Sequence, residues 1–113
     1  MQKPLNILSL PLNRTSFKTD FESVAKKIIL QELGNLNCKI FLFGSRATKE
    51  NHRFSDMDIG IIPGKDFDHR VLYALKDKLA DSIIPFKVDI VNFSQVTDDF
   101  KKEAMKHIIW WKS

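Results

Sequence analysis

The sequence predicts an α/β fold in which helices pack against a small sheet, and two observations carry that prediction. Three short runs rich in β-branched and aromatic residues, at 39–43, 56–62 and 87–91, read as strands. Segments with apolar residues at helical spacing, at about 17–33, 66–82 and 96–108, precede, separate and follow them. The resulting order is α-β-β-α-β-α, which suits helices layered on a sheet.

The first helix opens on Thr19-Asp20-Phe21-Glu22, which fits a capping box. Phe17, Phe21, Val24 and Ile28 then recur toward a stop at Gly34-Asn35. Lys39-Ile40-Phe41-Leu42-Phe43 ends at Gly44, as expected of a buried strand that feeds a turn. The second strand, Asp56-Met57-Asp58-Ile59-Gly60-Ile61-Ile62, ends at Pro63-Gly64. Phe67, Val71, Leu72, Leu75 and Leu79 mark a second helix, and Tyr73 reads as core with the Phe residues of the helix faces. Lys87-Val88-Asp89-Ile90-Val91 is the third strand, and Val96, Phe100, Ala104 and Ile108 mark the last helix. Ile108-Ile109-Trp110-Trp111 breaks the pattern, because four consecutive bulky residues cannot all face one side of a helix. That segment either folds back on the core or offers a partner-binding surface. At the other end Leu8, Leu10 and Leu12 alternate, allowing a short strand or an apolar arm over 1–15, with Pro11 favouring an edge.

A chain of 113 residues with 43% hydrophobic content is expected to form one domain, 1–113. Nine Phe and two Trp argue against disorder. The single cysteine, Cys38, excludes an intramolecular disulfide and a cysteine-rich zinc site, and it suits a reducing compartment such as the cytoplasm. Pro4, Asn6 and Pro11 interrupt the apolar start, so no signal peptide is read, and no run approaches the roughly 20 apolar residues of a spanning helix. A soluble protein with no membrane association is expected. The net charge of +4 divides as six Lys/Arg against three Asp/Glu in residues 1–39, eight against eight in 40–93 and four against three in 94–113. The balanced middle carries no basic stripe, which argues against nucleic acid as a partner.

Residues two apart on a strand share a face, so Asp56 and Asp58 project together while Met57 and Ile59 face the core. Their repulsion asks for a cation, and hard oxygen ligands suit Mg2+ or Mn2+. Asp89, inside an apolar strand that could neighbour the second, offers a third carboxylate, the set that two-metal phosphoryl chemistry uses. Gly44-Ser45 follows a strand and opens a short helix, where backbone N–H groups and the Ser hydroxyl can hold a phosphate. Arg46, and Lys49 or Arg53, could neutralise a triphosphate. Taken singly these pieces have ordinary readings: a Gly-Ser turn, a solvated acidic pair, a strand carboxylate with a local partner. His52, His69 and His107 have no ligand spacing to one another or to Cys38, and surface or packing roles are expected of them.

In combination, strand, Gly44-Ser45, ten residues, Asp56-x-Asp58 at a strand start, helix and then Asp89 in a strand is a pattern that resembles the DNA polymerase β-like nucleotidyltransferases. The likeness is to their minimal nucleotidyltransferase branch, with 38–93 covered by motif and 17–110 by element order. It implies a small mixed sheet flanked by helices and transfer of AMP from ATP, with Mg2+ or Mn2+, to an acceptor hydroxyl. By position, Gly44, Ser45 and Arg46 would bind nucleotide, Asp56 and Asp58 would coordinate both metals, and Asp89 would bind the catalytic metal and help deprotonate the acceptor. The family often continues Gly-Ser-Arg-Ala-x-Gly, whereas this chain has Lys49 at the second glycine, so the turn there could differ. The resemblance further implies an antitoxin that adenylylates a tyrosine of a companion HEPN toxin, a helical ribonuclease. A non-catalytic antitoxin acting by binding alone, and an adenylyltransferase of small molecules, are the competing expectations.

Overall fold

A computed structural model describes residues 19–113, so the expected arm at 1–15 lies outside the described residues. Eight elements follow in the order α1 (Phe21–Leu33), β1 (Cys38–Phe43), α2 (Ser45–Thr48), β2 (Met57–Pro63), α3 (Val71–Ala80), β3 (Val88–Asn92), α4 (Asp98–Ala104) and β4 (Ile109–Lys112). The strands form one mixed sheet in the order β3-β2-β1-β4. β1 runs antiparallel to both β2 and β4, while β2 and β3 are parallel, joined through α3. The α/β expectation therefore holds, the short helix expected at Gly44-Ser45 is present as α2, and β4 is an addition.

Alternation along the strands sorts their side chains between two apolar layers. Ile40, Leu42, Met57, Ile59, Ile61 and Ile90 point to one face, where Ala25, Ile29 and Leu33 of α1 and Leu72, Leu75 and Leu79 of α3 cover them. The two helices meet at their polar edges, where Lys78 Nζ lies 2.7 Å from Glu32 Oε2. On the other face Phe41, Phe43 and Phe93 form a second cluster, with Val96, Ala104 and Met105 around α4 packed against it. Phe41 is fully buried because its cross-strand partner is Gly60, where any Cβ would fall within the Phe41 ring. That bare backbone lets the ring lie across β2, edge-on to Phe93 at 4.8 Å and to Trp110 at 5.4 Å.

Three local expectations are revised. The N-cap of α1 is Asp20, one residue later than a capping box from Thr19 would place it; its carboxylate accepts from the Ser23 N–H at 3.1 Å, and Glu22 pairs with Arg46. Tyr73 is 71% exposed on the outer side of α3, since the buried stripe there follows Leu72, Leu75 and Leu79. The last helix ends at Ala104 and the chain reverses, so Ile109–Lys112 adds a strand to the edge of β1. Strand alternation resolves the run of bulky residues: Trp110 joins the Phe41 side, and Trp111 packs on the main core beneath Lys26.

Lys49 closes α2 in the left-handed region, at φ 65° and ψ 24°, and its N–H is donated to the Ser45 carbonyl. A glycine would adopt that conformation freely, whereas a side chain there costs about 1–2 kcal/mol. The turn that the second family glycine would make is thus retained with a lysine in it. Lys49→Gly should leave the fold intact and raise stability by about 0.5–1 kcal/mol after the added chain entropy of glycine, measured by urea titration. A variant less stable than the wild type would show that the lysine side chain contributes more than the backbone conformation costs.

Candidate active site

β2 lies between β1 and β3, and this placement assembles the site. In the parallel β2–β3 pair Asp58 is the register partner of Asp89, and in the antiparallel β1–β2 pair it is the partner of Phe43. Asp56 stands two residues earlier, where the Met57 N–H is donated to the Lys87 carbonyl at 2.8 Å and pairing with β3 begins. The three expected carboxylates therefore share one edge of the Phe41–Phe43 face, with Asp56 exposed and Asp58 and Asp89 half-buried. Met57 and Ile59 are fully buried on the opposite face.

Gly44 completes the site from the end of β1. Its φ of 74° belongs to the region that favours glycine, and a Cβ there would collide with the Asp58 carboxylate. The peptide between strand and helix consequently runs directly beside an acidic side chain, and Ser45 begins α2 at that point.

Burial, then the like charges of Asp89 and Asp56, push the Asp58 carboxyl above the usual carboxylate value, against a smaller opposing pull from Lys87. Lys87 Nζ itself lies 3.3 Å from Asp89 Oδ1. Among the described residues no three His, Cys, Asp or Glu side chains are grouped so that they could hold a metal ion by themselves. Mg2+ does not require such a group, because it keeps waters and takes substrate phosphates beside one or two carboxylates. The oxygen-only donors and the mutual repulsion at Asp58 fit a hard divalent cation in that sense.

Arg46 departs from its expected role. It is 5% exposed, and its guanidinium donates to the Ser55 carbonyl at 2.7 and 3.2 Å and to the Arg53 carbonyl at 3.1 Å. It also reaches Glu22 at 3.4 Å and lies over the Phe86 ring at 4.0 Å. These partners turn its charge inward, so Arg46 positions the segment that delivers Asp56 instead of facing a triphosphate. Of the histidines, His69 pairs with Asn92 at 2.9 Å, on the side of α3. Burial pushes the Cys38 thiol up, which keeps it unreactive.

A family model described as polymerase beta, nucleotidyltransferase matches residues 24–112. The chain belongs to this family. It is accordingly a nucleotidyltransferase, and the Gly44-Ser45 and Asp56-x-Asp58 pattern lies inside the matched region. The chain is 30% identical over 80 residues to a probable protein adenylyltransferase MntA of Haemophilus influenzae, covering 71% of this chain and 69% of that protein. It is similar to the crystal structure of a toxin–antitoxin with AMP-PNP at a TM-score of 0.61 and 25% identity, over 78% of this chain and 73% of the other. A complex of tri-AMPylated Shewanella oneidensis HEPN toxin with MNT antitoxin shares the fold at a TM-score of 0.57 and 21% identity, over 81% and 73%. No described helix is long and apolar enough to cross a membrane.

Because the Asp58 carboxyl sits above its unfolded value, its ionised form costs stability at neutral pH, and that cost disappears as pH falls through the folded value. Asp58→Asn should melt higher than the wild type at pH 7 in EDTA, and the advantage should vanish below about pH 4. A variant that melts lower at pH 7 would show that Asp58 makes a favourable contact in the metal-free fold. Arg46→Met should cost about 2–4 kcal/mol in urea titration, since it strands Glu22 and two backbone carbonyls. Unchanged stability together with lost ATP affinity would restore Arg46 to the phosphate-binding role.

Proposed function

We propose that the protein is a metal-dependent adenylyltransferase that moves AMP from ATP to a tyrosine hydroxyl of a partner HEPN toxin and thereby acts as its antitoxin in the cytoplasm. The observation that carries the reading is the register of Asp58 with Asp89, beside a Gly44 that leaves no room for a side chain, in a chain of nucleotidyltransferase family. The MntA relative supports protein as the acceptor class, and the solved toxin–antitoxin complexes, one holding AMP-PNP and one an AMPylated HEPN toxin, support the nucleotide and the partner. In this reading residues 24–112 carry the catalytic domain and the partner toxin supplies the acceptor hydroxyl.

Asp56, Asp58 and Asp89 would hold Mg2+ or Mn2+, which supplies neutralisation of the triphosphate charge and acidification of the acceptor hydroxyl. The backbone at Gly44 and the Ser45 hydroxyl bind phosphate oxygens and fix the triphosphate against β1. Asp89 takes the proton of the acceptor hydroxyl, whose oxygen bonds to the α-phosphorus while the bond to the leaving pyrophosphate breaks. Arg46 acts at one remove, holding the 53–55 segment so that Asp56 enters β2 in register.

Incubation of the protein with its HEPN partner, ATP and Mg2+ should add the mass of an AMP to the partner in intact-mass analysis. Asp89→Asn should stop that addition while leaving the complex intact by gel filtration, because its carboxylate acts on the reacting oxygen and not on the interface. A partner whose mass never changes, yet whose toxicity both versions neutralise equally, would replace catalysis by inhibition through binding.

A further inference from the structure

We infer that the outer edge of β3 receives residues 8–12 of this same chain as a further, antiparallel strand. The inference concerns the strand that carries Asp89, and it stands independently of the chemistry assigned to that carboxylate. The sheet order leaves β3 outermost, so among the described residues no strand pairs with this edge. Met57 donates its N–H to the Lys87 carbonyl, and Phe93 donates its N–H to the Ile61 carbonyl, both at 2.8 Å. The odd-numbered residues along β3 thus bond to β2, and the N–H and C=O groups of Val88, Ile90 and Asn92 point to the outer edge.

The side of that edge facing α3 is shaped to take side chains. Two cavities of about 360 and 200 Å³ lie between α3 and β3, and Lys76 belongs to the wall of both, so they make one strip along the strand. Leu72, Tyr73 and Ile90 line the first, and Leu79, Ile84 and Val88 line the second. Apolar hollows beside outward-facing backbone groups suit an added strand with an apolar residue at every second position.

Leu8-Ser9-Leu10-Pro11-Leu12 has that pattern, and the chain can bring it there. Thr19, the first described residue, shares a cavity wall with Phe86, and Phe86 also lines the strip at the start of β3. Residues 13–18, which reach up to about 20 Å when extended, join that point to Leu12. Followed back from Thr19, the chain meets Val88 first and Asn92 last, and so runs antiparallel to β3. Leu12 opposite Val88, Leu10 opposite Ile90 and Leu8 opposite Asn92 puts all three leucines over the strip. The same register bonds the leucine backbones to β3 and turns residues 9 and 11 away from it. Pro11, which has no N–H, then costs the pairing nothing. A slip of one residue would aim Pro11 at β3 and carry the leucines off the strip. The outer edge of β4 is also open among the described residues, but no β4 residue lines the cavity at Thr19.

Amide exchange of the full chain, followed residue by residue by NMR, tests the assignment. In wild type the Val88, Ile90 and Asn92 amides should exchange slowly, as those of Asp89 and Val91 do. Leu10→Pro, which removes the central donor of the added strand, should speed the first three about ten-fold or more and leave Asp89 and Val91 unchanged. Unchanged Asp89 and Val91 also certify that the β2–β3 pair is intact, and the double variant Leu8→Asp, Leu12→Asp gives the same readout should Leu10→Pro not fold. Ser9 and Val91 form a non-hydrogen-bonded pair in this register, with Cα atoms about 4.5 Å apart, within the range of a disulfide. Ser9→Cys with Val91→Cys should therefore close a bridge inside one chain under mild oxidation. Fast exchange of Val88, Ile90 and Asn92 in wild type, slow exchange that survives both sets of substitutions, or loss of protection on β4 instead would overturn the assignment. A bridge that forms only between two chains would also overturn it, with an arm exchanged between copies in its place.

Discussion

The parallel pairing of β2 with β3 sets two like charges side by side, and the rest of the molecule is arranged around that constraint. Asp58 and Asp89 are register partners, and Asp56 repeats on the same face two residues earlier. A one-residue slip would turn both carboxylates into the apolar layer under α1 and α3, where no partner could offset the burial of charge. Register is fixed by the opposite face: Met57, Ile59, Ile61 and Ile90 bury there and make this alternation the only comfortable one. The core thus dictates where the acids point.

Two devices hold the neighbouring backbone close to those acids. Glycine at position 44 brings the end of β1 against Asp58, and the buried Arg46 gathers the carbonyls of Arg53 and Ser55 just ahead of Asp56. Glu22, at the first turn of α1, completes the charge of Arg46, so the entry of the first helix is tied to the entry of β2. Phe86, just before β3, supplies the ring over the guanidinium. One buried cation therefore links three segments that are distant in sequence.

What the sequence disclosed follows from which interactions are written in side-chain periodicity. The clustering of Asp56, Asp58 and Asp89 at one edge of the sheet was foreshadowed because an acid in an apolar strand run conflicts with burial and demands a reason. Three of the four strands were legible as runs rich in β-branched and aromatic residues, with bounds within one residue of those observed. The inward partners of Arg46 were not legible because they are mostly backbone carbonyls, which carry no signature in sequence. β4 was missed because Val96, Phe100, Ala104 and Ile108 continue a helical spacing past the point where the chain actually reverses, and only the four bulky residues after it signalled a conflict. Tyr73 was assigned to the core because aromatic residues usually bury, although it falls outside the stripe of Leu72, Leu75 and Leu79.

β4 gives the molecule an internal optical gauge. Both tryptophans of the chain sit on this one edge strand and point to opposite layers, Trp110 against the Phe41 cluster and Trp111 against the main core. Their emission therefore reports the docking of the edge onto β1 and is blind to the β2–β3 seam, two strands away, where the carboxylates lie. Fluorescence and a probe of overall secondary structure will trace the same melting curve only if the sheet comes apart as one unit. Divergence of the two would mean that the edge strand peels off while the acidic seam stays closed.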